Sequence, residues 1–190
     1  MIWLARHGQT AYNHERRFQG HLPVPLNDTG REQARALARE AAGREWAALW
    51  CSPLERALET ARIVGEAIAI QARPDARFAE TDCGDWTDRT FEEVEREDPD
   101  GFRAFIAADP AFAFPGGESF AQQSARVQNG LADVRAGELP ALVVCHRGVM
   151  RLALTHARGE ELSALEVPNA SLVELPGYPR DRFADTGGRP

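Results

Sequence analysis

The run Ala141-Leu142-Val143-Val144-Cys145 limits the fold of this chain more than any other feature. Five consecutive apolar residues, β-branched at the centre, leave no position to face water. A strand of that kind must be covered on both faces, which is the habit of parallel sheets flanked by helices. Ile2-Trp3-Leu4-Ala5 and Ala48-Leu49-Trp50-Cys51 are shorter runs of the same type, and Ser171-Leu172-Val173-Glu174-Leu175 reads as a final strand. Helical periodicity separates them. Residues 28–42 place Ala34, Leu37, Ala38, Ala41 and Ala42 on one face, with Asp28 or Thr29 as N-cap and Gly43 as the stop. Pro53 suits the first turn of a second helix, in which Leu54, Ala57, Leu58, Ala61, Val64 and Ile68 form an apolar stripe. Phe120, Val127, Leu131 and Val134 mark a third, and Val149, Leu152 and Ala153 start a fourth directly after the strand at 141–145. Alternation of strand and helix predicts an α/β fold: a three-layer α/β/α sandwich with a mainly parallel central sheet.

Residues 82–118 differ from their surroundings. They combine acids (Glu92, Glu93, Glu95, Glu97, Asp98, Asp100) with aromatics (Trp86, Phe91, Phe102, Phe105, Phe112, Phe114), the composition of a small helical cap insertion. No internal repeat is visible. The expected organisation is a single domain over 1–175 with 82–118 as its cap, and a loose, Pro/Gly-rich tail over 176–190.

The net charge of −7 argues against a nucleic-acid or membrane-surface binder, because either needs a basic stripe. All 22 basic residues are arginine, whose planar fork grips phosphate and carboxylate as lysine cannot. Cys51, Cys83 and Cys145 show no pairing motif and read as reduced thiols. No stretch reaches the roughly 18 apolar residues of a membrane helix, and the first ten residues lack the pattern of a signal peptide. A cytoplasmic protein is expected. No exposed apolar helix face stands out as a subunit contact.

Chemistry gathers at the strand ends, where open parallel sheets bind ligands. Arg6-His7-Gly8 follows the first strand, Ser52-Pro53-Leu54-Glu55-Arg56 the second, and His146-Arg147-Gly148 the strand at 141–145. A lone histidine at a strand end is more often a hydrogen-bonded structural residue. Arg56, beside Glu55 and Glu59, is on its own more often part of a solvated helix face. Jointly, two histidines, several arginines and the N–H groups of the following helices describe a phosphate pocket with a histidine that can attack phosphorus. His14, His21 and His156 have no zinc-like spacing and read as surface or supporting residues.

The ordered set of motifs resembles the histidine phosphatase superfamily, which includes the cofactor-dependent phosphoglycerate mutases. Arg6-His7-Gly8-Gln9-Thr10 with Asn13 looks like its signature loop, followed by Arg17-Phe18-Gln19-Gly20, Pro25-Leu26 and Thr29-Gly30. Ser52-Pro53-Leu54-Glu55-Arg56-Ala57 with Thr60-Ala61 is similar to the family's second-arginine helix, and Glu80 with Gly84 and Trp86 to its acid-bearing segment. Pro115-Gly116-Gly117-Glu118-Ser119 with Arg126-Val127, Val144-Cys145-His146 with Gly148 and Arg151, and Pro168-Asn169-Ala170-Ser171 complete it.

The resemblance implies a metal-independent phosphomonoesterase acting on a small phosphorylated metabolite, with no cofactor. It implies His7 as the nucleophile that becomes phosphorylated, and Arg6, Arg56 and His146 as holders of the phosphoryl oxygens. Glu80 would donate a proton to the leaving oxygen and then activate water. Asn13, Gln19 and Gly20 would contact phosphate or substrate. Arg147 stands where relatives often carry glycine, and either points away or adds an anion contact. Thr87-Asp88 replace a common Glu-Gly after Trp86, which leaves the seating of the acid-bearing loop open. The aromatic, acidic cap suggests a leaving group of apolar or cationic character. Only 24 positions separate Arg56 from Glu80, where the mutases insert a longer segment. Mutase-type phosphoryl transfer and non-catalytic phospholigand binding are the alternatives. A protein without turnover has no chemical need to keep Arg6, His7, Arg56, Glu80 and His146 together.

Overall fold

The computed structural model describes residues 1–158 and 166–176. The elements run β1 (Ile2–Arg6), α1 (Ala11–His14), α2 (Asp28–Ala42), β2 (Ala48–Cys51), α3 (Glu55–Ile68), β3 (Arg73–Pro74), α4 (Phe91–Glu97), α5 (Pro99–Ala107), α6 (Phe120–Ala136), β4 (Ala141–Cys145), α7 (Arg147–Arg158) and β5 (Leu172–Leu175). The five strands form one sheet in the order β3-β2-β4-β1-β5, parallel throughout except for β5, which runs antiparallel along β1. All five residues of β4, at the centre, are buried.

Alternation along the strands sorts the core into two layers. Leu4 and Val143 pack on one face with Val127 and Leu131 of α6 and Met150 and Leu154 of α7. Ala5, Leu142 and Val144 pack on the other with Leu37 and Ala41 of α2 and Ala57, Ala61 and Val64 of α3. Each such buried Leu or Val contributes roughly 1.5–3 kcal/mol. This is the expected α/β/α sandwich. Among the described residues no helix is long and apolar enough to cross a membrane. The tail beyond Pro176 lies outside the described residues.

Several local expectations need correction. The N-cap of α2 is Asn27, one residue before the expected positions, because its side chain accepts from Gly30 N while its own N–H donates to Gln9 O. Pro53 lies outside α3, which begins at Glu55 after a turn closed by Leu54 N donating to Ser52 Oγ. Leu58 is exposed: the buried face of α3 is rotated to include Arg56 and Thr60, both held by polar partners. Strand β3 and the single-turn α1 were not anticipated, being two and four residues long.

Residues of the 82–118 segment build a third cluster, in which Trp86, Val94, Phe102, Phe112 and Phe114 pack around Phe18. Eight aromatic rings are in mutual contact there, among them Phe18 and Phe91 with centroids 4.4 Å apart. Residues 82–118 are therefore pinned to the segment that follows α1. Asp88 adds a polar tie, accepting from Tyr12 Oη at 2.6 Å and from Arg17.

Candidate active site

Strand register brings the site together. Arg6 pairs with Cys145 across β1 and β4, and Cys51 with Val144 across β2 and β4. The ladder continues one step further through His7 N to Cys145 O (3.0 Å) and Ser52 N to Val144 O (2.9 Å). His7, His146 and Ser52 thus leave three adjacent strands at the same level. The two imidazole rings lie with centroids 5.0 Å apart, and both residues are almost wholly buried.

His7 Nδ1 lies 2.7 Å from the carbonyl oxygen of Gly8. A carbonyl can only accept, so Nδ1 carries the proton and the lone pair is left on Nε2. Burial, and the positive charges of Arg56 and Arg6, hold the His7 pKa well below its ordinary value of 6.5. The ring is neutral at pH 7 and oriented as a nucleophile. Gly8 is required at its position, because a Cβ there would fall 2.2 Å from Gly30 O where the loop crosses the start of α2. Gly8 N also donates to Thr60 Oγ1, whose hydroxyl donates to Arg56 O, linking the nucleophile loop to α3.

Arg56 is 1% exposed, so it does not belong to a solvated helix face. Its Nη1 and Nη2 donate to Leu22 O and Gly20 O, while Arg6 Nη1 donates to Val167 O at 2.6 Å. Burial, reinforced by Arg147 and Arg56 against the opposing pull of Glu80, pushes Arg6 down to about 10. Burial likewise lowers Arg56. His146 is held by Ser52 Oγ at 2.7 Å from Nε2, and burial with the Arg56 charge drives it well below 6.5. Among the described residues, Arg6 Nε, Arg56 Nε and His146 Nδ1 are buried without a hydrogen-bond partner. Such groups are costly unless something else satisfies them. Arg6 and Arg56 line the cleft beside His7, and the buried His146 packs against the His7 ring.

Glu80 lies in the same cleft and is fixed on both oxygens. Oε1 accepts from Thr81 N (3.0 Å) and Gln123 Nε2 (3.2 Å), and Oε2 accepts from Gly148 N (3.2 Å). A Cβ on Gly148 would stand 2.4 Å from Oε1. The backbone around Glu80 is clamped by Arg126, which donates to Arg77 O, Ala79 O and Glu80 O while its fork is held by Glu118 at 2.6 and 2.8 Å. That clamp explains Glu118 and Arg126 in the sequence pattern. With Thr87 and Asp88 after Trp86 in place of the common Glu-Gly, Glu80 still reaches the cleft.

The cleft encloses about 850 Å³ including its mouth. Asn13, Gln19, Gly20 and Arg147 all line it, beside Arg6, His7 and Arg56. Asn13 is tied to Thr10 N and Asn169 Nδ2, and Gln19 to Thr10 Oγ1. Sequence reasoning gave no role to Ser52, Gln123 or Arg151. Ser52 could have been found from its place directly after β2, whereas Gln123 has no local signature. Cys145 is a buried core thiol whose pKa burial raises, and burial pushes Cys51 up to about 12. His21 Nε2 donates to Glu80 O at 2.7 Å, a supporting contact at the surface.

Residues 2–185 match the model of the histidine phosphatase superfamily, branch 1. The chain belongs to that family. It is 33% identical over 191 residues to glucosyl-3-phosphoglycerate phosphatase of Mycobacterium tuberculosis, covering 92% of this chain and 84% of that protein. It is 33% identical over 162 residues to phosphoserine phosphatase 1 of Hydrogenobacter thermophilus, covering 84% and 77%. The solved complex of mycobacterial glucosyl-3-phosphoglycerate phosphatase with inorganic phosphate superposes with a TM-score of 0.79 at 31% identity, covering 90% of this chain and 86% of that one. Family and relatives make this chain a phosphohydrolase of the phosphohistidine type.

Proposed function

We propose that this histidine phosphatase hydrolyses a small phosphorylated metabolite, with His7 as nucleophile and Glu80 as the proton-transfer group. Neutral His7 Nε2 attacks phosphorus while the bond to the leaving oxygen breaks. Glu80 in its acid form gives that oxygen its proton. Water then attacks phospho-His7, and Glu80, now a carboxylate, takes the water's proton. Phosphate leaves and His7 is regenerated. Arg6 and Arg56 balance the charge that grows on the phosphoryl oxygens, and neutral His146 helps to hold them by hydrogen bonding.

The observation that carries this reading is the meeting of Arg6, Arg56 and Glu80 in one cleft with a neutral His7 imidazole whose lone pair is on Nε2. In this mechanism the charge of Arg6 and Arg56 replaces that of a metal ion. The short path from α3 to Glu80, containing only β3 and one 3-10 turn, favours hydrolysis over mutase-type transfer. A base quench during turnover of p-nitrophenyl phosphate, followed by peptide mass spectrometry, should find phosphate on His7. His7→Ala should lose about 10³-fold or more in kcat, and EDTA should leave the wild-type rate unchanged. Turnover that needs added magnesium, or that survives in His7→Ala, contradicts the mechanism. Isomerisation of a phosphoglycerate without phosphate release contradicts the choice of hydrolysis.

A further inference from the structure

Among the described residues Glu80 is the one carboxylate that lines the cleft, and it shares the cleft with five arginines. The cap acids Glu92, Glu95, Glu97 and Asp100 are exposed and line none of it, so the expectation of a cationic leaving group gains no support there. Proton transfer in the proposed mechanism falls to Glu80 alone, so the bonds to its two oxygens decide where the proton sits. Gln123 makes one of those bonds from an unusual position. Helix α6 buries Val127, Leu131 and Val134 in the core layer, and Gln123 stands one turn before Val127, fully buried. Folding alone would favour an apolar residue there, because a buried amide is costly unless its ends are bonded.

Both ends of the Gln123 amide are bonded. Its Oε1 accepts from the buried Thr81 Oγ1 at 2.6 Å, and its Nε2 donates to Glu80 Oε1 at 3.2 Å. Thr81 has a single hydroxyl proton, and the 2.6 Å bond to Gln123 takes it in preference to Glu80 Oε1 at 3.4 Å. Turned over, the amide would set its oxygen against the Glu80 carboxylate. The result is an asymmetry between the two carboxyl oxygens. Oε1 accepts from Thr81 N and from Gln123 Nε2, which occupies both of its lone pairs. Oε2 accepts from Gly148 N and keeps a lone pair for a proton.

We propose that Gln123, held by Thr81, is a positioning residue that reserves Glu80 Oε2 as the oxygen that carries and transfers the proton. The proposal rests on the reading of Glu80 as acid and then base. In the first step the Oε2–H bond breaks and its proton passes to the leaving oxygen, while the P–O bond breaks and the bond from His7 Nε2 to phosphorus forms. In the second step Oε2 takes a proton from the attacking water as the P–N bond breaks. Gln123 acts through Glu80 in both. The test compares kcat/KM on phenyl phosphate and on p-nitrophenyl phosphate, whose leaving oxygens differ in their need for a proton. Gln123→Met keeps the volume and removes both amide ends. It should lose about tenfold to hundredfold on phenyl phosphate and no more than about threefold on p-nitrophenyl phosphate. Thr81→Val leaves the backbone bond to Oε1 in place and removes only the anchor of the amide. It should show the same split with a loss of about threefold to tenfold on phenyl phosphate, and it carries the test if Gln123→Met fails to fold. The double variant should lose no more than Gln123→Met alone, because the two side chains act as one unit. Equal losses on the two esters, wild-type rates in both single variants, or additive losses in the double variant overturn the proposal. Glu80→Gln, assayed beside them, separates the two possible failures. A split in Glu80→Gln but not in Gln123→Met defeats the positioning role and keeps the mechanism. No split in Glu80→Gln defeats the mechanism, and the proposal with it.

Discussion

At the carboxyl ends of β1, β2 and β4 the buried residues are polar: His7, Ser52, Arg56, Thr60 and His146. In the cap they are aromatic: Trp86, Phe102, Phe112 and Phe114. The first region is fixed by directional bonds to backbone whose register is set by the sheet. The second is fixed by ring contacts at centroid distances of 5 to 6 Å, which tolerate many orientations. Directional anchoring suits groups that must meet a phosphorus atom within a few tenths of an ångström. Aromatic packing suits a wall whose outline can vary with the leaving group. In the proposed mechanism the first region carries out the reaction, and the second supplies part of the cleft wall.

That contrast can be broken by substitution. Glu80→Gln keeps the shape of the site but removes the transferable proton. It should lower kcat/KM, which reports phosphoryl transfer to His7, by about 10² to 10⁴-fold on alkyl phosphates and by much less on p-nitrophenyl phosphate, whose leaving group needs little protonation. Equal losses on both esters would remove Glu80 as the acid. Arg126→Ala releases the backbone clamp around Glu80 without touching substrate. About a tenfold to hundredfold loss in kcat is expected, with little change in KM, and a change confined to KM would contradict the positioning role.

Phe105→Ala tests the other region. It should raise KM for aryl phosphates by about tenfold, the factor expected when an apolar contact worth roughly 1.4 kcal/mol is lost, while kcat moves less. A loss of kcat/KM on alkyl phosphates as large as that of Glu80→Gln would show that the cap takes part in the chemistry.

The gentlest test is pH. His7 and His146 have folded-state pKa values depressed below 6.5. Below about pH 6.5 the unfolded chain gains protons that the folded chain resists. The stability that these neutral rings contribute is complete above that pH and is lost as pH falls toward their depressed values. For the same reason the acid limb of kcat/KM should lie below pH 6.5. Parallel pH–rate and denaturant-midpoint series check both, and an acid limb at or above 6.5 would contradict a neutral, depressed His7.

The strand ends were legible because apolar runs and the polar residues directly after them are local patterns. Four of the five strands, the flanking helices, and His7, His146, Arg6 and Arg56 could all be read this way. The contacts of Asn27 and Leu58 could not. Whether Asn27 or Asp28 caps α2 depends on Gln9, 18 residues earlier in the chain, and the exposure of Leu58 depends on which face of α3 the core covers, a face that includes Arg56. The clamp of Glu118 and Arg126 on residues 77–80 spans more than 40 positions and has no periodicity to betray it.

Residue order alone was enough to define the α/β alternation and the family and to nominate the candidate catalytic groups, because each is written in short runs and spacings. Folding supplied the rest. Neutral His7 with its lone pair on Nε2 follows from burial, from two nearby guanidinium groups and from one carbonyl. The separation of cap acids from cleft arginines follows from which helix faces the core covers. Burial and proximity between distant segments are properties of packing in three dimensions, and no local stretch of this chain encodes them.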